Sequence, residues 1–281
     1  MEDASYQRTF ALRALSIMVS RMTTHKVTSV TEAVEAAAAI ASEWETASKP
    51  LDLWYRGAPS NSFHLIPRAY RLDDYDEAQV LLDFHQNACA YADTEGMNDW
   101  DLYFLAQHHN VPTRLLDWTE NLLAAVYFAL RDWKEEDTPC VWVIDPARLN
   151  SALIGWPGLI VPTNSDRDSI WLPPQAGSPK TSKGEDGFKY CNKSPLAIWP
   201  RRSNRRIVAQ QGAFTVHGVD RQPIDKLVDD DIHPQTIARI DIEFADPRAS
   251  KHTLRSLGMK HAAFFPDLDS YVTDLKEYHG W

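Results

Sequence analysis

No stretch of this 281-residue chain reaches the roughly 18 consecutive apolar residues that a membrane-spanning helix needs, and the N-terminus lacks the compact apolar core of a secretory signal. A soluble, cytoplasmic protein is the expectation. Cysteine is scarce: Cys89, Cys140 and Cys191 are odd in number and show no CxxC spacing, which argues against a disulfide framework or a zinc site. Basic charge is also short, with 29 Lys and Arg against 39 Asp and Glu, a net charge of -10. General attraction to nucleic acid is therefore excluded, and only a local patch could supply it. The chain has no GxSxG, P-loop or GxGxxG sequence, which argues against hydrolase-elbow, P-loop NTPase and Rossmann chemistry. It has no internal repeat.

What is present is apolar and aromatic. Hydrophobic residues make up 44% of the chain and ten are tryptophan, enough to build one large core with aromatic clusters. Residues 98–131 hold the densest set of function-prone side chains. Trp100, Leu102, Phe104, Leu105 and Ala106 predict a helix ending near Gln107-His108-His109, because Pro112 disfavours helical geometry at Val111. Thr113 to Trp118 fits a short strand or a tight buried loop. Thr119 then caps a helix with Asn121 in its first turn, and Leu122, Leu123, Val126, Tyr127 and Leu130 recur at helical spacing to Arg131.

Around this stretch the pattern predicts an α+β protein with a central, mostly antiparallel sheet and surrounding helices. Residues 1–48 read as an N-terminal helical segment, with one helix over 5–22 and a second, capped by Ser29 or Thr31, running to about Glu45. Residues 49–281 form the main domain. Leu51 to Gly57 alternates as a strand, and Asp76 to about Tyr91 is a helix. Cys140 to Ile144 is a buried strand. Residues 151–200, rich in Pro, Gly, Ser and Lys, read as an irregular insertion. Ile207 to His217 reads as a strand interrupted at Gly212, and Ile237 to Phe244 as another. A helix over Ser250 to Leu257, a short strand over Ala262 to Phe265 and a last helix over Leu268 to Tyr278 complete the chain.

Each chemically suggestive group has a plain structural reading beside it. Arg56, at the end of an apolar strand, either leaves the sheet to face a cleft, with Gly57 letting a ligand approach the backbone, or sits on the surface. His108 and His109 point about 100° apart on a helix, so one can line a site while the other packs, and a metal is not expected. Gln107 either contacts a ligand or satisfies backbone groups. Arg114 and Asp117 either pair internally or bind an anion between them. Thr113 or Thr119 offers a hydroxyl, and capping explains Thr119 without a ligand. Gln210-Gln211-Gly212 fits a bulge presenting Gln211 into a cleft. The cluster Arg201, Arg202, Arg205 and Arg206 either binds phosphates of a nucleotide or RNA or is a solvated loop.

Several blocks together carry a resemblance. Tyr55-Arg56-Gly57, Leu65 to Arg68, Leu105 to Thr119 (LAQHHNVPTRLLDWT), Ala124 to Ala129, Gln210 to Phe214 and Phe265 to Leu268 resemble the successive signatures of the FRG domain across roughly residues 50–275. Tyr55 stands where the family has phenylalanine. Asn110 stands where it usually has glycine and tolerates the same left-handed backbone. The order of these motifs is similar to that of ADP-ribosyltransferase folds. That similarity implies an NAD-consuming enzyme, an ADP-ribosyltransferase or NAD glycohydrolase acting as a toxin or phage-defence effector, with NAD as substrate and a protein or RNA as possible target. It implies that Arg56 holds the pyrophosphate or a ribose, that Thr119 or Thr113 supports the nicotinamide ribose, and that Gln211 takes the position of the usual glutamate. Gln211 cannot ionise, so Asp117 or His108 would supply the charge or the base. Gly57, Gln107, Arg114, Arg205 and Arg206 complete the expected binding set. The alternative is a non-catalytic module that binds a nucleotide, RNA or a protein segment.

Overall fold

The computed structural model describes residues 22–45, 52–163, 165, 168–173, 193–202, 205–231 and 235–281. Seven strands form one sheet: β1 (Thr23–Val27), β2 (Trp54–Ala58), β3 (Leu115–Thr119), β4 (Cys140–Ile144), β5 (Leu196–Ile198), β6 (Gly212–Val216) and β7 (Ile237–Ile242). Their order is β1-β7-β4-β2-β3-β6-β5, with β1 parallel to β7 and every other neighbour antiparallel. The α+β class with a mostly antiparallel sheet is as the sequence predicts.

Among the described residues the helices are α1 (Val30–Trp44), α2 (Glu77–Ala88), α3 (Asp99–His108), α4 (Leu122–Arg131), α5 (Pro146–Ile154), α6 (Arg205–Ala209), α7 (Ile224–Asp231), α8 (Pro247–Ser256), α9 (His261–Phe264) and α10 (Leu268–His279). Ser29 caps α1 by accepting from the Glu32 N–H, and Asn98 and Asp101 form a reciprocal capping box on α3.

Strand β4, CVWVI, is apolar at every position because both sheet faces are covered. Val141 and Val143 pack with Ala33, Ile40 and Trp44 of α1 and with Ala125 and Ala129 of α4. Cys140, Trp142 and Ile144 meet Trp54, Leu116, Trp118 and Leu149 in a second cluster. A third cluster joins Trp100, Tyr103 and Phe104 of α3 to Leu115, Phe214, Val216, Leu196 and Ile198. No described helix is long and apolar enough to cross a membrane.

Of the described glycines, Gly57 leaves the least room for a side chain. A Cβ there would lie 2.0 Å from the Ala125 carbonyl oxygen and 2.6 Å from the Ala129 nitrogen, so α4 sits directly on the β2 backbone. The missing side chain admits a helix, not only a ligand.

Several local expectations are corrected. The helix expected over 5–22 lies outside the described residues, apart from Met22. Residues 23–27, inside the segment expected to be helical, form β1, a polar stretch that becomes a strand by pairing with β7. Asn121, not Thr119, caps α4, accepting from the Leu123 and Ala124 N–H groups, while Thr119 Oγ1 accepts from the Asn121 N–H and donates to the Gln210 carbonyl. Among the described residues of 151–200, the end of α5 and strand β5 are regular. Asp145 caps α5 across Pro146, and buried Asn150 bonds both the N–H and the C=O of Ala197, which ties β5 to that helix.

Residues 205–209 are a helix, and the following strand begins only at Gly212. The reversal occurs at Gln211, whose φ of 47° is left-handed. Residues 261–264 are also helical. The Asp274 carboxylate accepts from the His261 and Ala262 N–H groups, a cap supplied from thirteen and twelve residues away that no local pattern reveals.

Candidate functional site: a cleft where the sheet divides

Five of the six strand interfaces are ladders of three or more paired positions, but β2 and β3 share only the pair Tyr55 and Thr119. The two strands diverge at the centre of the sheet. A cleft of about 260 Å³ occupies the fork, with Tyr55, Arg56 and Gly57 on one wall and Asp117, Trp118 and Thr119 on the other. Phe128, Arg131 and Asp132 at the end of α4, together with Arg206 and Gln210, also line it.

Arg56 spans the fork. Its Nη1 donates to the Asp117 carbonyl at 2.6 Å and lies 3.8 Å from the Asp117 carboxylate. Burial lowers the guanidinium pKa from its ordinary value, with Asp117 opposing that shift and Arg71 adding to it. Asp117 is the one exposed position of an otherwise buried strand, its side chain 58% accessible. Gln107 Nε2 donates to both Asp117 carboxylate oxygens at 3.1 Å, and Gln107 Oε1 accepts from Thr113 Oγ1 at 2.6 Å.

Arg206 approaches from α6. Its Nη1 donates to the His108 carbonyl at 3.0 Å, and its guanidinium carbon stands 4.6 Å from the centroid of Phe265. Burial lowers its pKa, opposed by Asp117 and aided by Arg131. Arg131 pairs with Asp132 at 2.7 Å and also faces Phe128 and Phe265. Three guanidiniums thus meet two carboxylates, and no carboxylate lies within ion-pair distance of Arg206 among the described residues. Partly desolvated arginines that exceed their carboxylate partners favour an anionic ligand.

The structure therefore brings Arg56, Gly57, Asp117, Thr119 and Arg206 to one cleft, with Gln107 and Thr113 behind Asp117. It does not bring the others there. Arg114 does not pair with Asp117. Its Nε donates to Glu77 at 2.8 Å, while Glu77 also accepts from the Arg114 N–H and from Tyr103. Burial opposes the Arg114 charge, but Glu77, Tyr103 and Tyr70 outweigh it and raise its pKa. This is the internal ion pair, with a partner 37 residues away.

His108 lies at the end of α3 and offers Arg206 its carbonyl rather than its ring. Burial, Arg206 and His109 lower its pKa. Gln211 is exposed and does not line the cleft. Its carbonyl accepts from the Glu120 N–H, and its neighbour Gln210 takes the wall position. Arg205 is exposed, Arg202 pairs with Glu120 and Arg201 with Asp101. Asn110 has the left-handed backbone its position requires, φ 62°. Among the described residues no three His, Cys, Asp or Glu side chains are grouped to hold a metal.

Sequence reading missed Arg131, Asp132, Phe128, Gln210 and the supporting ring of Phe265. Arg131 was legible only as the end of an amphipathic helix, and Phe128 as part of the Ala124 to Ala129 block, with no site role given to either. The usable signal was their place three residues apart on one helix face, with a second aromatic pair at Phe264-Phe265.

These features define an α+β protein whose central sheet divides around an arginine-rich cleft. Residues 52–138 match the family model of the FRG domain, and the match spans both strands of the fork while Arg206 lies beyond it. No curated protein and no solved structure matches the chain.

Proposed function

We propose that the cleft binds NAD and that the protein is an NAD-consuming enzyme of the ADP-ribosyltransferase or NAD glycohydrolase kind. The observation that carries this reading is the convergence of Arg56 and Arg206 with the exposed Asp117 carboxylate in the fork between β2 and β3. The order of motifs supports it: an Arg-Gly near the end of an early strand, then a hydroxyl-bearing strand leading into a helix with Tyr127-Phe128-Ala129. That warrant is one of analogy.

On this reading Arg56, Arg206 and Arg131 hold the pyrophosphate. The bond between the ribose C1′ and the pyridinium nitrogen breaks, and its electron pair leaves with nicotinamide, which becomes neutral. Positive charge then develops on the ribose as an oxocarbenium ion, and Asp117 faces it. A carboxylate about 4 Å away is worth roughly 4 kcal/mol at an effective dielectric of about 20, or about a thousandfold in rate. Water or a target side chain adds to C1′ and releases its proton.

Incubation with NAD should yield free nicotinamide, and Asp117→Asn should lower kcat by about 100- to 1,000-fold while leaving the fold intact. Arg56→Ala should raise KM as well. Unchanged NAD with the wild-type protein, under all conditions and with no modified target, sinks the enzymatic reading. A toxin or phage-defence role would appear as growth arrest on expression of the wild type but not of Asp117→Asn.

A second reading is a binding module that performs no chemistry. Gln211 favours it, because the position expected to carry a glutamate holds an amide turned away from the cleft. Retained affinity for ADP-ribose without nicotinamide release would select it. RNA as the ligand is disfavoured by the engagement of Arg201 and Arg202 with Asp101 and Glu120.

A further inference from the structure

We infer that Thr113 and Gln107 form a positioning pair that fixes Asp117 as the anion of the cleft. The catalytic consequence rests on the reading just proposed, whereas the geometry does not. Thr113 is fully buried, and its hydroxyl has two partners of opposite kind. It accepts from the Leu115 N–H at 3.1 Å and donates to Gln107 Oε1 at 2.6 Å.

A hydroxyl has a single proton, and here the backbone bond leaves that proton directed to the Gln107 oxygen. The amide is thereby locked in one of its two orientations. Its NH₂ group must face Asp117, where it stands 3.1 Å from each carboxylate oxygen. Among the described residues the Asp117 carboxylate meets donors, Gln107 on one side and the nearby Arg56 guanidinium on the other. Such a carboxylate is held in one orientation, facing the place where a cation would develop.

The base of the relay is rigid. The Thr113 carbonyl accepts from the Ala69 N–H, and Arg114, the next residue, is anchored through both its main chain and its guanidinium to buried Glu77. In this arrangement both ends of the Gln107 amide are engaged within the protein. It transmits the fixed position of a buried hydroxyl to an exposed carboxylate.

The pair is tested on the full chain by two readouts. The first is turnover of NAD. Thr113→Val, which keeps the shape and removes the proton, and Gln107→Ala, on a half-buried helix face, should each lower kcat by about tenfold with KM changed less than about threefold. Thr113→Ser should retain the wild-type rate. In Asp117→Asn neither change should lower kcat further, because the group being positioned is gone. Full multiplication of the losses, or an unaffected kcat in Thr113→Val, overturns the inference.

The second readout needs no activity. The side-chain amide resonance of Gln107, assigned by its disappearance in Gln107→Ala, should shift in both Thr113→Val and Asp117→Asn and stay in place in Thr113→Ser. If the wild type releases no nicotinamide, the enzymatic reading falls and this measurement alone decides the relay. A Gln107 amide indifferent to both substitutions shows that no relay exists.

Discussion

The guanidinium of Arg206 stands 4.6 Å from the centre of the Phe265 ring and donates to the His108 carbonyl, so one side of the cation is stacked and one edge is pinned. The ring and the carbonyl orient the charge without neutralising it. Phe265→Leu keeps apolar bulk but removes the ring face, which is worth about 0.5–2 kcal/mol to a cation. Affinity for ADP-ribose should fall by about 3- to 30-fold in a calorimetric titration, with little change in thermal stability. Equal affinity would show that the stacking does not orient Arg206.

The Arg114 and Glu77 pair predicts a stability effect without a direct effect on the ligand. Removing one member of a buried pair leaves a charge unpaired and costs about 3–5 kcal/mol. Glu77→Ala should lower the denaturation midpoint accordingly, and Glu77→Gln, which can still accept from the Arg114 N–H, should cost less. Urea unfolding of the two variants checks the order.

Gly57 sits under α4 with no room for a methyl group. Gly57→Ala must push the helix off β2, and overpacking of this kind costs about 1–3 kcal/mol, more where backbone is the obstacle. A drop in melting temperature accompanied by weakened ligand binding is expected, because the displaced helix carries Phe128 and Arg131. A variant as stable as the wild type would contradict the packing account.

His217 follows β6 in a fully buried position, beside Tyr70 and near Arg114. Burial, reinforced by Arg114 and partly opposed by the Leu65 main chain, pushes its pKa down from 6.5 to about 3. The unfolded chain therefore binds a proton that the folded chain refuses between those values. The contribution of this residue is fully present above about pH 6.5 and declines as pH falls toward 3, with a slope approaching 1.4 kcal/mol per pH unit. Denaturation measured at pH 7, 6, 5 and 4 should show this acid limb, and His217→Leu should flatten it.

How much of this was written in the sequence depends on the range of the interactions. Helices α3, α4 and α10 and strand β4 were legible because their apolar spacing is local. Strand β1 was not, since TTHKV is polar and is made a strand only by β7, more than two hundred residues away. Helix α9 was misread because its N-terminal cap comes from Asp274. The same distinction holds at the cleft. Arg56, Asp117 and Arg206 could be picked out by residue type and position, whereas the partner of Arg114 could not, because Glu77 lies on helix α2, 37 residues away, and no spacing rule links them. Gln211 was misplaced by one residue: a left-handed turn sends Gln210 to the wall and leaves Gln211 in solvent.

The central claim is that the fork between β2 and β3 grips an anionic dinucleotide through arginines, and it is tested most directly by calorimetric titration of ADP-ribose into the wild-type protein and Arg206→Gln. Saturable one-to-one binding should weaken by at least about tenfold in the variant and decline with added salt. Absence of binding to the wild type, or identical affinity in Arg206→Gln, would contradict it.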